Sequence, residues 1–288
     1  MKEYHNALQL VLEKGKLKQN RTGVDTLSVF GHQMRFDLRD KFPAVTTKKL
    51  AWYAVVSELL WMLEGSTDER RLAEIYYEDT RFNLTHKQTI WTKNADNQGR
   101  MLGYTNNFLT KELGPVYGSR WRKWDSPFWH IDQIKNVLNT LKKNPDSRRH
   151  IVSAWDPANI ENMALPPCHI LFQFYVQDNE LSCQFYQRSA DLPLGSPFNI
   201  AAYGLLTYMF ARILNMTPGD LIYTIGDMHV YVDQIEAVKL QLSRSPYPSP
   251  SLIMPKFSTL DELLKTTPSE YTLVNYQHYP AIKINMAV

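Results

Sequence analysis

Residues 170–188, ILFQFYVQDNELSCQFYQR, decide the fold. Two runs rich in aromatic and branched residues, 170–176 and 181–188, flank Gln177-Asp178-Asn179-Glu180. Apolar runs separated by a short stretch of turn formers predict a hairpin. Toward the C-terminus, Pro197 opens a helical stretch, FNIAAYGLLTYMFARIL, and proline is permitted in a first helical turn. A strand at 221–225, a helix at 232–242 and short strands near 251–254 and 271–276 complete that half. Toward the N-terminus, HIVSAW at 150–155 reads as a strand, preceded by an amphipathic helix at 131–144 that Asn144-Pro145-Asp146 stops. Residues 51–63, AWYAVVSELLWML, are apolar nearly all round and predict a buried helix ending near Gly65. Residues 26–38 alternate around Gly31 and read as a second hairpin, after a helix at 4–13. The stretch 68–113 is polar and Asn-rich with a short helix at its start, and reads as an insertion or lid. Strands and helices mix without a regular βαβ repeat, which predicts one α+β domain over 1–288.

Composition narrows the function. A net charge of +3, with no polybasic run, suits a small anionic substrate and falls short of a nucleic-acid footprint. The two cysteines, Cys168 and Cys183, are too few for a disulfide framework, and no zinc-ligand spacing surrounds them. The N-terminal stretch has mixed charge and helical spacing, and no apolar run reaches membrane-spanning length. A cytoplasmic protein that needs no metal, membrane or nucleic acid is the expectation.

Cys168 lies in ALPPCH, stiffened by two prolines and followed by a strand. A free cysteine is most often a buried packing residue, whereas a nucleophilic thiol needs a cationic neighbourhood. Arg188 ends the adjacent strand of the hairpin, and Arg148 and Arg149 open the strand before Cys168. Cys183, mid-strand without such flanks, reads as structural. Arg21, Arg148, Arg149 and Arg188 all sit at element ends, where guanidinium forks can grip phosphate and Ser189 can add a donor. Any one of them alone is an ordinary surface arginine. Glu58 is the one charge in its apolar helix, and is either paired with a cation or a functional carboxyl with a raised pKa. In QRSADLPLGSPFNIAAY, Asp191, Gly195 and Asn199 lie between a strand and a helix. The Asn199 amide can match a uracil edge or simply bond at the helix start. His229 and Tyr231 in GDMHVY are two apart on extended chain and share a face, either for sugar hydroxyls or as a core pair.

Taken in order, FPAVTTKKL, ELLWML, LGPVYGSRWR, DSRRHIVSAW, MALPPCH, QRSADLPLGSPFNIAAY, GDMHVY and the terminal MAV resemble the thymidylate synthase family over essentially the full chain. The resemblance implies a large mixed sheet packed by helices, with one sheet face forming a homodimer interface. It implies reductive methylation of dUMP to dTMP with 5,10-methylenetetrahydrofolate, which leaves as dihydrofolate. Cys168 would add to uracil C6 and make C5 a carbon nucleophile. By the same resemblance, Arg21, Arg188 and Ser189 would hold the phosphate, with Arg148 and Arg149 donated across the dimer. Asn199 would read the base, His229 and Tyr231 the deoxyribose, and Ala190 and Asp191 would complete the dUMP contacts. Glu58 would handle protons at the ring, and Tyr117 would help remove the C5 proton. Trp91, Asp191, Leu194, Gly195 and Phe198 would form the folate cleft, over which Ala287 and Val288 would close. Four positions depart from the family's usual pattern: Ala51, Asn94, Ser196 and Met228. They bear on folate contacts rather than on the nucleophile. A pyrimidine hydroxymethylase of the same fold, acting on dUMP or less readily on dCMP, is the closest alternative.

Overall fold

In the computed structural model, which describes residues 1–20, 23–126 and 128–284, strands His169–Gln177 and Glu180–Asp191 form the expected hairpin. Gln177 faces Glu180, and the two residues between them, Asp178 and Asn179, have φ of 51° and 59°. Two consecutive left-handed residues make a type I′ turn, whose twist matches that of the strands, and Asn and Asp tolerate that region best.

The hairpin is the middle of a six-stranded sheet. Its order is Lys16–Lys18, Thr26–Asp37, Thr217–Tyr231, Glu180–Asp191, His169–Gln177, Ile151–Ser153. Every neighbouring pair is antiparallel except Glu180–Asp191 with Thr217–Tyr231, which is parallel. Helix Ser196–Leu214 makes the crossover that a parallel pair needs. It starts at Gly195 with proline in its first turn, and stops where Asn215 turns left-handed at φ 56°. The sheet is therefore mixed, and the fold is α+β.

Three expectations need correcting. Residues 26–38 are one strand, Thr26–Asp37, not a hairpin. Gly31 takes φ 85°, yet pairing with Thr217–Tyr231 resumes in the same register on both sides, Phe30 with Asp227 and His32 with Ile225. The glycine interrupts the ladder without reversing the chain. The strand expected at 221–225 is longer, running from Thr217 to Tyr231, and takes in the extended GDMHVY stretch. The stretch 68–113 is not a detached lid: Leu72, Trp91, Ala95 and Leu113 belong to the main hydrophobic core.

One face of the sheet is covered. Phe172, Phe174, Phe185, Cys183, Met34, Phe36 and Tyr223 point into the core against helices Trp52–Glu64 and Ser196–Leu214. The other face carries Gln33, Arg35, Tyr175 and Gln184 exposed, with Gln33 and Gln184 both donating to Thr224 Oγ1 (3.0 and 3.2 Å). Ile151, Leu171 and Tyr175 leave 36–58% of their surface open there. No helix among the described residues is long and apolar enough to cross a membrane.

Candidate active site

Cys168 stands where the Pro166-Pro167 approach meets the start of its strand, and it is partly exposed. Register places it beside Arg188, whose backbone N–H donates to the Cys168 carbonyl (2.8 Å). The guanidinium folds back over the same corner. Nε donates to Pro167 O (2.8 Å) and Nη2 to Pro166 O (3.1 Å), leaving Nη2 4.0 Å from Cys168 Sγ. Trp155 lies under the guanidinium at 5.8 Å. The prolines thus offer carbonyls that hold a cation against the thiol. Cys183 is fully buried, and burial pushes its thiol far up, which fits the structural reading.

Facing this corner is a wall of aromatic and acidic groups. The Tyr117 hydroxyl accepts from the Cys168 backbone N–H (2.7 Å), and its ring stacks on His169 at 4.2 Å. His169 is buried, its Nδ1 is 2.8 Å from the Tyr203 hydroxyl, and burial lowers it to about 3, so it is neutral at pH 7. Glu58 projects from helix Trp52–Glu64 and accepts from the Trp91 indole Nε1–H at 2.6 Å. Burial pushes the Glu58 carboxyl up, and the indole bond pulls against it. The partner is a neutral indole and not a cation, so the raised carboxyl is the reading that fits.

Asn199, on the first turns of helix Ser196–Leu214, donates from Nδ2 to Gln187 Oε1 (2.7 Å). Gln187 Oε1 also accepts from the Tyr223 hydroxyl (2.7 Å), while its Nε2 donates to Ser189 O (2.9 Å). Having spent its proton on Gln187, the Tyr223 oxygen accepts from Ser196 Oγ (3.2 Å). The buried Ser196 hydroxyl is thereby satisfied inside the protein. This chain fixes which edge of the Asn199 amide faces inward. Gln187 and Tyr223 were not anticipated, although Gln187 adjoins Arg188 in sequence.

The parallel pairing brings Ser189 beside Asp227, Ala190 beside Met228 and Asp191 beside His229. Asp191 accepts from Leu194 N and from Gln234 Nε2, both at 3.0 Å. Burial raises its carboxyl, and Gln234 and the Leu194 N–H oppose that rise. Nearby Lys48, lowered to about 8 by burial, donates to Pro193 O. His229 Nδ1 lies 3.3 Å from Asp227 Oδ1, and its ring meets Tyr231 edge-on at 5.3 Å. The His229 bond holds Asp227 well below the usual carboxylate range. Gly195 caps the following helix, and Phe198 lies on its first turn.

Arg148 and Arg149 are exposed and not part of this corner. Pairing of Ile151 with Gln173 and Ser153 with Leu171 puts Arg149 opposite residue 175, seven residues from Cys168. At roughly 3.3 Å per residue that is about 23 Å, beyond the reach of an arginine side chain. Arg21, Ala287 and Val288 lie outside the described residues.

Two adjoining cavities meet at Glu58 and Phe198. The inner one is lined by Trp121, His169 and Asn199. The outer one opens along Tyr76, Tyr77 and Ile90, an apolar and aromatic slot suited to a flat ring system. No cluster of three or more metal-ligating side chains occurs among the described residues. A thiol with a fixed cation, a carboxyl and neutral histidine across from it, and an oriented amide suit nucleophilic attack on a polar heterocycle. The family model described as thymidylate synthase matches residues 2–288, and the chain belongs to the thymidylate synthase family.

Proposed function

We propose that this chain catalyses the reductive methylation of dUMP to dTMP. The family transfers a one-carbon unit and uses methylenetetrahydrofolate. The observation that carries the finer reading is Arg188 Nη2 at 4.0 Å from Cys168 Sγ, beside the cavity that Glu58, His169 and Asn199 line. A cation beside sulfur favours the thiolate, the nucleophilic form.

Cys168 adds to uracil C6, and C5 becomes the carbon nucleophile. 5,10-Methylenetetrahydrofolate supplies the one-carbon unit and the hydride, and the slot along Tyr76, Tyr77, Ile90 and Phe198 fits its rings. Trp91, Asp191, Leu194 and Gly195 border that ligand, and Ala287 and Val288 close the site. Asn199, turned by Gln187, offers its second N–H and its carbonyl to the uracil edge. Cytosine would set an amino donor against that N–H. Glu58 moves protons at the ring, and Tyr117 and His169 hold the waters that carry the C5 proton away. Arg188, Arg21 and Ser189 bind the phosphate, His229 and Tyr231 the deoxyribose, and Ala190 lies beside them on the same strand.

The phosphate site is completed by Arg148 and Arg149 of a second copy docked on the open sheet face. Their separation of about 23 Å from Cys168 along the strand supports supply from another chain. A homodimer follows from this reading.

The test uses dUMP deuterated at C5 with methylenetetrahydrofolate. Deuterium should appear in water in step with dTMP, and Cys168→Ala should abolish both, by about a thousand-fold or more. A Cys168→Ala protein that still releases deuterium would sink the proposal.

A further inference from the structure

Glu69 and Arg70 are consecutive, and both side chains are buried at the start of helix Glu69–Tyr77. Arg70 donates to both Glu69 oxygens, from Nε at 2.6 Å and from Nη2 at 2.7 Å. Its other bonds go to the carbonyls of Leu84 (2.9 Å) and Lys87 (3.1 Å). The pair is thus the hub around which residues 84–92 are wound. Taking two charges out of water is costly, and replacing such a pair with apolar residues is often neutral or better for stability. A role in geometry is the stronger reason to look for.

The bonds lead to the reaction centre. Glu69 Oε1 accepts from Thr89 Oγ1 (2.7 Å) and Thr92 Oγ1 (2.6 Å). Thr89 Oγ1 in turn accepts from the Trp91 backbone N–H (3.2 Å), and Thr92 Oγ1 from the Thr89 N–H (2.8 Å). Trp91 therefore sits in a ring of hydrogen bonds closed by Glu69. From there its indole reaches Glu58 at 2.6 Å, with Trp61 and Tyr117 against its faces and edges at 5.8 and 6.0 Å.

We propose that Glu69 is a positioning residue that acts through Thr89 and Thr92 to fix the Trp91 indole N–H on Glu58. Arg70 grips both Glu69 oxygens and so keeps the carboxylate correctly turned. The consequence for turnover rests on the reading of Glu58 as the proton carrier, while the geometric claim stands on the bonds alone. The indole bond lowers the Glu58 carboxyl against the rise from burial. Loosening Trp91 therefore moves Glu58 higher.

The test replaces both hydroxyls in the full-length protein, Thr89→Val with Thr92→Val, which keeps the branched side-chain shape while removing the bonds to Glu69. Thr92→Val alone is the milder lesion, and Thr92→Ser restores the hydroxyl. The Trp91 indole N–H resonance, identified by its loss in Trp91→Phe, reports the bond to Glu58 without reference to activity. We expect it to move upfield in the valine variants and to stay in place in Thr92→Ser. We also expect kcat to fall about ten-fold with KM for dUMP within about two-fold, and the pH limb set by Glu58 to move to higher pH. Folded valine variants with an unmoved indole resonance and an unmoved pH limb overturn the proposal. A wild-type chain that forms no dTMP defeats the functional reading instead, and the indole resonance still decides the positioning claim.

Discussion

At the residue scale, Glu58 joins sequence to chemistry. Its single charge in AWYAVVSELLWML is visible in the sequence, but its partner is 33 positions away and the pairing is not. Burial raises its carboxyl, so the folded protein holds that proton more tightly than the unfolded chain does. The stability linked to this group is full below the ordinary glutamate range and declines as pH rises through the raised value. Glu58→Gln mimics the protonated form and keeps an acceptor for the Trp91 indole. It should melt close to wild type at pH 5 and about 2 °C or more above it at pH 8, while kcat falls about a hundred-fold. Paired thermal melts at the two pH values check this, and an equal offset at both would contradict the assignment. Cys168, Arg188 and Asn199 were equally legible, because each stands in a short motif with its own chemistry. Gln187, Tyr223 and Ser196 were not recognised as one network, because the parallel pairing that joins them spans a helical crossover.

At the element scale, local signals worked where the structure is local. The Asp178-Asn179 turn and the proline-started helix were readable because their backbone demands fall on neighbouring residues. Strand Thr217–Tyr231 was under-read because Pro218, Gly219 and Gly226 look like breaks, yet Pro218 pairs with Leu181, and Ile225 and Asp227 around Gly226 pair with strands on both sides. Gly226 and Gly31 separate two uses of glycine. A Cβ at Gly226 would come within 2.7 Å of the Tyr186 hydroxyl and 2.9 Å of the Arg188 carbonyl. One at Gly31 would meet nothing within 4 Å but would strain a φ of 85°. Gly226→Ala should therefore push the Arg188 strand and lower kcat/KM for dUMP about ten-fold or more. Gly31→Ala should cost about 1–2 kcal/mol of stability and leave kcat/KM near wild type. Denaturant titration with steady-state kinetics on both variants separates these outcomes.

At the scale of the whole molecule, the open sheet face and the distant arginines belong to one account. The motifs imply that Arg148 and Arg149 are donated across a dimer, and the register of Ile151–Ser153 sets them at the far end of the strand from Cys168 of their own chain. Mixing Arg149→Ala with Cys168→Ala protein should restore turnover in the heterodimer, where one site holds both a wild-type Cys168 and a wild-type Arg149. Confirmed heterodimers that stay inactive would count against donation across the interface. The same scale governs the chemical outcome, since methyl and hydroxymethyl products differ in whether hydride or water reaches the one-carbon unit within the closed site. The most direct measurement incubates the chain with dUMP and 5,10-methylenetetrahydrofolate and reads both the product mass and the folate oxidation state. The account predicts dTMP with an equal amount of dihydrofolate; a hydroxymethyl product with tetrahydrofolate would contradict it.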